Sequence, residues 1–457
     1  MSFMVPLALF GWPIIAISLF LIMSPRRAVI TSYVGGWLFL PITVGYEIFG
    51  LPDYTKVVAS IIGVVIGILL FDTRRFLSFR LQWIDAPIII FCLWGATSSL
   101  STGKGAWDGF STILENSILW GFPYIVGRVY FRDLESFRDL ALGIVIGGLV
   151  YVPLCLIEVH FSPQLHIWIY GYHQHQFEQS IRFGGFRPTV FLQHGLAVAM
   201  WMVNATALAI WMQANGTLRH YPILLITGVS ATLVVTTILC KSTGALTLLM
   251  VGLGAVFAAS IFQKPWPLLL LIMISPLWMT GRTLDLINGQ IIYDLFSLIS
   301  EERAQSFQIR LDQEEEIRQI ALQTPIFGGS RWWPNGADQL WLIYFRNFGT
   351  VGIATFTAIF LVPGWILLRR IPFKQLCEPE WAPVTGMILI VVLYTIDNLL
   401  NGLVNPIFTV VAGALSAACA DDPAGVFSRK TVASKSEKRS LGVRRQMWPP
   451  VTAGRAE

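Results

Sequence analysis

Arginine provides the first candidate chemistry in this chain. Arg182 and Arg187 lie in one polar stretch, residues 160–189, and Arg282, Arg303, Arg310, Arg318 and Arg331 in a second, residues 282–338. A guanidinium is always charged and presents a fork that matches phosphate oxygens. Several of them converging at a membrane face would suit a lipid-linked diphosphate. The competing use is pairing with local acids: Glu314 stands four residues from both Arg310 and Arg318, the spacing of a helical ion pair. Arg187, within "GGFRPT", has few acids nearby and is the stronger candidate for a ligand.

"RWWPNGADQLWLIYFRNFGTVG", residues 331–352, adds a carboxylate. Asp338 stands where a long apolar run begins, and Arg346 lies about two turns deeper on roughly the same face. A charge at bilayer depth costs about 2.5–3.5 kcal/mol. Arg346 should therefore meet a partner or a wet cavity, or join a polar network with Asp397 or Asn398. An aspartate at the membrane–water boundary can act as general base on a sugar hydroxyl, and it can cap the helix as well. Trp332 and Trp333 can stack on sugar rings or anchor the interface. His194, seven residues after Arg187, is either a proton relay or a satisfied interface histidine. His173 and His175, in "YHQHQ", lack the carboxylate or cysteine set of a metal site. Neither polar stretch contains an Asp-x-Asp dyad, so a diphosphate here would be neutralised by arginine and no metal is expected.

These groups must be held by a membrane scaffold. The chain has 457 residues, 54% hydrophobic and 13% charged, with a mean hydropathy of +0.63, whereas soluble domains carry about a quarter charged residues. Apolar runs near twenty residues recur, and the alternating segments of a β-barrel do not. The expected fold is an all-α polytopic membrane protein of 12–13 transmembrane helices. Thirteen spans fit: about 4–23, 30–50, 57–71, 85–99, 110–127, 137–159, 190–212, 221–240, 243–262, 265–281, 339–368, 383–400 and 403–420. Residues 1–23 lack a basic start and a small-x-small cleavage site, so they read as a retained first helix.

The organisation that follows has N-terminal transmembrane helices over 1–159, a first loop over 160–189 and central helices over 190–281. A large loop then covers 282–338, C-terminal helices 339–420 and a basic tail 421–457. Four clusters, at Arg26–Arg27, Arg74–Arg80, Arg128–Arg138 and Arg369–Lys374, fall on the same side as the tail. The positive-inside rule makes that side cytoplasmic, which puts both arginine-rich loops in the periplasm. The tail suits an anionic leaflet and not nucleic acid. Five cysteines without CxxC spacing indicate neither a disulfide framework nor a metal site. The large loop should be structured: "SEERAQSFQIRLDQEEEIRQIALQ" is rich in helix formers, and Pro325 with Gly328-Gly329 ends the helix.

Two motif pairs carry a family resemblance. "SFQIRLDQEEEIRQIALQTPIFGGS" followed by "ADQLWLIYFRNFGTVGIATF" resembles the O-antigen ligase and polymerase superfamily of bacterial envelope glycosyltransferases. Its members show a loop-helix arginine, a Pro-hydrophobic-hydrophobic-Gly turn, a polar or histidine residue opening a helix, and a Gly-x-x-Gly-like stretch. Arg310, "PIFGG", Asp338 and "FGTVG" occupy those places. Upstream, "RFGGFRPTVFLQHG" is similar to the family's arginine-bearing entrance to a mid-chain helix, at Arg187. "TTILCKSTGALTLL" resembles its Ser-Arg-Gly helix break, with Lys241 near the arginine. The likeness covers roughly residues 180–360. Many members carry a histidine where this chain has Asp338.

The resemblance implies a GT-C-type fold in a bacterial inner membrane, with the active site facing the periplasm. It implies an inverting, cofactor-free glycosyltransferase that polymerises polyprenyl-diphosphate-linked repeat units into O-antigen or exopolysaccharide. Arg187 and Arg310 would hold the diphosphate and Asp338 would be the base. Arg182, His194, Lys241, Arg331, Trp332, Trp333 and Arg346 would contact the substrates. Expected partners are the lipid-linked donor, a glycan acceptor, membrane lipids, a chain-length regulator and a flippase, and not nucleic acid. A ligase acting on lipid A-core is the alternative within the family. A transporter of lipid-linked glycan is the alternative outside it, and predicts paired helix breaks in two matching halves.

Overall fold

Helix occupies all thirteen stretches expected to span the bilayer. The computed structural model describes residues 2–48, 51–297, 301–329 and 339–420. Six of its helices are long and apolar enough to cross a membrane: Met4–Ile22, Trp83–Ser101, Leu134–Phe161, Gly195–Ala214, Thr243–Phe262 and Leu340–Arg370. Four more, Lys56–Phe71, Ile223–Leu239, Ala382–Asp397 and Pro406–Ala420, are apolar but shorter. This is a mostly helical membrane protein.

Two expected spans take a different form. The stretch 30–50 is helical only over Pro25–Phe39. Leu40 is extended, as the residue before a proline prefers, and beyond Pro41 the chain forms a short antiparallel hairpin, Tyr46–Ile48 against Leu51–Tyr54. The stretch 110–127 is two helices, Ala106–Asn116 and Phe122–Tyr130, joined by a π turn over Ser117–Gly121. Pro123 has no N–H to donate back to Leu119, and the ladder widens just before it.

Burial sorts the helices into an interior and a rim. Gly195–Ala214 is 89% buried, whereas Met4–Ile22 and Thr243–Phe262 are only 22% and 28% buried and present apolar side chains outward. A helix that is hydrophobic all round and buried belongs at the centre of the bundle. Ala382–Asp397 and Pro406–Ala420, buried along nearly their whole length, complete that interior.

The fold is broken on purpose in Leu340–Arg370. Gly349 has φ 65° and ψ −164° inside this helix, a conformation open essentially to glycine alone. A break in an apolar surround strands backbone groups that must find partners. Here the "PIFGG" turn supplies them. The Gly329 N–H donates to the Arg346 carbonyl at 2.7 Å, and the Thr350 N–H donates to the Pro325 carbonyl at 2.7 Å. From Trp83–Ser101, Ser98 Oγ donates to the Asn347 carbonyl at 2.7 Å and Trp94 Nε1 to the Phe348 carbonyl at 3.0 Å. The Trp94 indole also stacks on Phe327, ring centres 5.6 Å apart. The two motifs that stood twenty residues apart in sequence are thus one backbone clasp.

Glycine is required on both sides of it. A β-carbon on Gly349 would lie 2.2 Å from the Ile326 carbonyl oxygen, and one on Gly328 would lie 2.4 Å from the Asn347 carbonyl. Gly349→Ala should therefore destabilise the protein by on the order of 3 kcal/mol through strain and collision. Thermal unfolding in detergent would register this as a clear drop in midpoint, and an unchanged midpoint would refute the clasp.

Candidate functional site

Arg182 and Arg187 are set by a tight hairpin, Ile181–Arg182 against Gly185–Phe186. Its two loop residues, Phe183 and Gly184, have φ 49° and 65°, the paired positive values of a type I′ turn that matches strand twist. The Arg187 N–H donates to the Ser180 carbonyl at 2.7 Å and closes the base. The Arg187 side chain is buried, with Nη2 donating to the Lys241 carbonyl at 3.1 Å. It runs across Gly195, where a β-carbon would lie 2.1 Å from its Cδ. Glycine at the first residue of the helix Gly195–Ala214 is what lets this arginine lie down.

A buried acid fixes the next residues. Glu158, fully buried near the end of Leu134–Phe161, accepts the N–H groups of Thr189 and Val190 at 2.7 Å each and of Leu165 at 3.1 Å. Val190 has φ 48°, an outlying conformation for a β-branched residue. Such strain persists only where the surroundings over-determine it. The carboxylate is matched by backbone donors, which is how a buried charge is tolerated.

His194 caps the helix that follows. The helix begins at Gly195, five residues later than the expected span, so His194 stands just before it. Its Nδ1 accepts the Leu196 N–H at 3.0 Å, which places the ring proton on Nε2, and Nε2 donates to Gln179 Oε1 at 3.1 Å. Both nitrogens are occupied in the neutral state. Burial, then His175, then Arg187, Arg182 and Arg310 push the imidazole down to about 3. The ring is a helix cap and part of the cavity wall, with both nitrogens hydrogen-bonded.

Arg310 arrives on the loop helix Glu301–Ala321, which forms where helix-rich residues were expected. Leu311, Ile317 and Ala321 are buried beneath it. Glu314 is buried too and pairs with Arg282 Nε, while Arg282 Nη1 donates to the Ile287 carbonyl at 2.7 Å. Arg318 pairs with Glu315 at 2.7 Å and 3.0 Å. Arg282 and Arg318 are thus bound to local acids, as the competing use of these arginines supposed. Gln339 Nε2 donates to the Arg310 carbonyl at 3.0 Å and joins the loop helix to the start of Leu340–Arg370.

Three other arginines share one cavity. Arg182, Arg187 and Arg310 line one cavity of about 730 Å³ together with His175, Gln179, His194, Asp397 and Asn401. That volume lies within the range of ligand sites, about 300–1,000 Å³. All three guanidinium groups act on His194, so their fields overlap. Cationic forks converging on one space make it a receptor for an anion with several oxygens.

Other expected residues lie elsewhere. Lys241, with φ 50°, links Ile223–Leu239 to Thr243–Phe262. It does not line the cavity; its carbonyl steers Arg187, and its ammonium lies over Gly185, where a β-carbon would be 2.1 Å from Nζ. Arg346 is buried within its helix, with Nε donating to Asn347 Oδ1 at 3.2 Å, and is not a lining residue. Arg331, Trp332, Trp333 and Asp338 lie outside the described residues, as does the Arg303 side chain. Asp397 and Asn401 belong to the wall but were not expected there. The interruption "DNLLNGLVNP" is the signal that could have found them, since irregular backbone at membrane depth lines cavities.

Compared with known proteins, the chain matches no family model, no curated protein and no solved structure.

The depressed His194 pKa has a consequence for stability. The unfolded imidazole titrates at about 6.5 and the folded one at about 3, so between those values the unfolded chain binds the extra proton. The contribution of His194 is complete above 6.5 and is lost as pH falls toward 3. His194→Asn retains a capping oxygen without titrating. Its unfolding temperature should fall less steeply than wild type between pH 6.5 and 4; parallel curves would show that the imidazole is not held neutral.

Proposed function

We propose that this protein is a glycosyltransferase of the O-antigen ligase and polymerase type, acting on a polyprenyl-diphosphate-linked glycan. The observation that carries the reading is the convergence of Arg182, Arg187 and Arg310, from loops more than a hundred residues apart, on one cavity. A diphosphate leaving group gathers negative charge as the bond to the anomeric carbon breaks. Fixed cations at that point stabilise the transition state more than the ground state. Arginine alone can neutralise that charge, so the mechanism is written as metal-independent and inverting: an acceptor hydroxyl attacks the anomeric carbon and the lipid diphosphate departs. The family resemblance suggests a base at Asp338, the residue before Gln339 in the sequence.

Helix polarity supports a periplasmic site. Leu134–Phe161 follows Arg132 and ends beyond Glu158, and Leu340–Arg370 starts at Gln339 and ends on Arg369 and Arg370. Pro25–Phe39 starts on Arg26 and Arg27 and leads to the lining residue Thr43. Lys56–Phe71 starts where Lys56 Nζ donates to the Phe191 carbonyl, and leads to Arg74 and Arg75. In each, the end with the basic cluster lies opposite the end that leads toward the segments around the cavity, which by the positive-inside rule supports a periplasmic cavity. A GT-C-type scaffold in a bacterial inner membrane, delivering O-antigen or exopolysaccharide, is the form this reading takes.

Purified protein given lipid-linked oligosaccharide alone should produce a ladder of longer glycans. A ligase would give none without lipid A-core. Arg187→Ala and Arg310→Ala should each lower chain growth by on the order of 100-fold or more, with each variant still eluting as folded protein. Chain growth near wild type in both arginine variants would defeat the diphosphate grip.

A further inference from the structure

Asp397 is the one carboxylate among the described residues that line the cavity. It ends the helix Ala382–Asp397, where the helix dipole opposes a negative charge. It is also only 9% exposed. Two unfavourable placements of one acid call for a compensating use. Asn401 accounts for half of the carboxyl group: its Nδ2 donates to Oδ1 at 2.8 Å. The other oxygen, Oδ2, is buried and has no hydrogen-bond partner among the described residues.

The same asparagine anchors the wall. Its N–H donates to the Asp397 carbonyl at 3.0 Å and its carbonyl accepts the Leu340 N–H at 3.2 Å. Asp397 thus lines the same cavity as the three arginines, with Oδ1 engaged by Asn401 and Oδ2 buried without a hydrogen-bond partner among the described residues. The buried acid Glu158, by contrast, has both oxygens accepting backbone N–H groups.

We propose that Asp397 is the general base of the transfer, an inference that rests on the glycosyltransferase reading above. The acceptor sugar places one hydroxyl against Oδ2. As that hydroxyl oxygen bonds to the anomeric carbon of the donor, its proton passes to Oδ2. The electron pair of the breaking carbon–oxygen bond leaves with the lipid diphosphate, beside Arg182, Arg187 and Arg310. Donor charge and acceptor proton are then handled by separate parts of one cavity, and the chemistry does not require Asp338.

The test separates this inference from the reading beneath it. Wild-type protein is first assayed for binding of inorganic pyrophosphate and for glycan transfer from a polyprenyl-diphosphate oligosaccharide; absence of both would defeat the reading itself, and the inference with it. Given both, Asp397→Asn should bind pyrophosphate at least as tightly as wild type, because a negative charge has gone. Its kcat should fall on the order of 100-fold or more, with donor KM unchanged, and its residual rate should lose the acid limb of the wild-type pH profile. Asn401→Ala keeps the carboxylate but releases its anchor, and should lower kcat about tenfold; it serves as the second variant if Asp397→Asn does not fold. Asp397→Asn turning over within threefold of wild type, or losing pyrophosphate binding together with transfer, would overturn the assignment. So would an unchanged kcat in Asn401→Ala where only that variant folds.

Discussion

Backbone groups inside an apolar surround must be paired, and the break at Gly349 is the place where this chain answers that demand most directly. An unpaired carbonyl there would cost several kcal/mol. The "PIFGG" turn and the side chains of Trp94 and Ser98 take up the stranded groups. In doing so they fasten the end of the loop helix to the membrane bundle. The Glu314–Arg282 pair fastens the same helix elsewhere, and Gln339 holds it at the Arg310 carbonyl. These three attachments fix the helix that carries Arg310.

The cavity follows from a second set of local constraints that converge on the first. A type I′ hairpin, a strained Val190 and a glycine helix start bring Arg187 over the mouth of Gly195–Ala214. Burial, His175 and then the three guanidinium groups all push the His194 imidazole toward its neutral form. A cavity lined by several guanidinium groups favours an anion with several oxygens. Preorganised positive charge with a carboxylate in the same wall is the arrangement that the proposed transfer needs: one part for the leaving group, another for the incoming hydroxyl.

Much of the scaffold was legible in the sequence because hydropathy reports burial in lipid residue by residue. All thirteen apolar stretches contain helix, and the loop helix around Arg310 lies where its helix formers and its Pro-Gly stop put it. Arg187 and Arg310 were singled out from their chemistry, and both line the cavity. Other features depend on groups distant in sequence. Nothing near Lys241 shows that its carbonyl, and not its ammonium, meets Arg187. The neutral state of His194 needs Gln179 and Leu196 to be seen around it. Arg346 was expected to meet a partner, a wet cavity or a polar network, and its buried side chain donates to Asn347. Asp397 was noticed only as a partner for Arg346, since its relation to Arg310 spans almost ninety residues.

One measurement bears on the central claim without passing through activity: a cryo-EM map of the protein with a polyprenyl diphosphate bound. The account predicts phosphate density in the cavity, with oxygens at about 3 Å from the guanidinium nitrogens of Arg187 and Arg310 and Arg182 beside them. A diphosphate bound elsewhere, with this cavity holding only water, would contradict it.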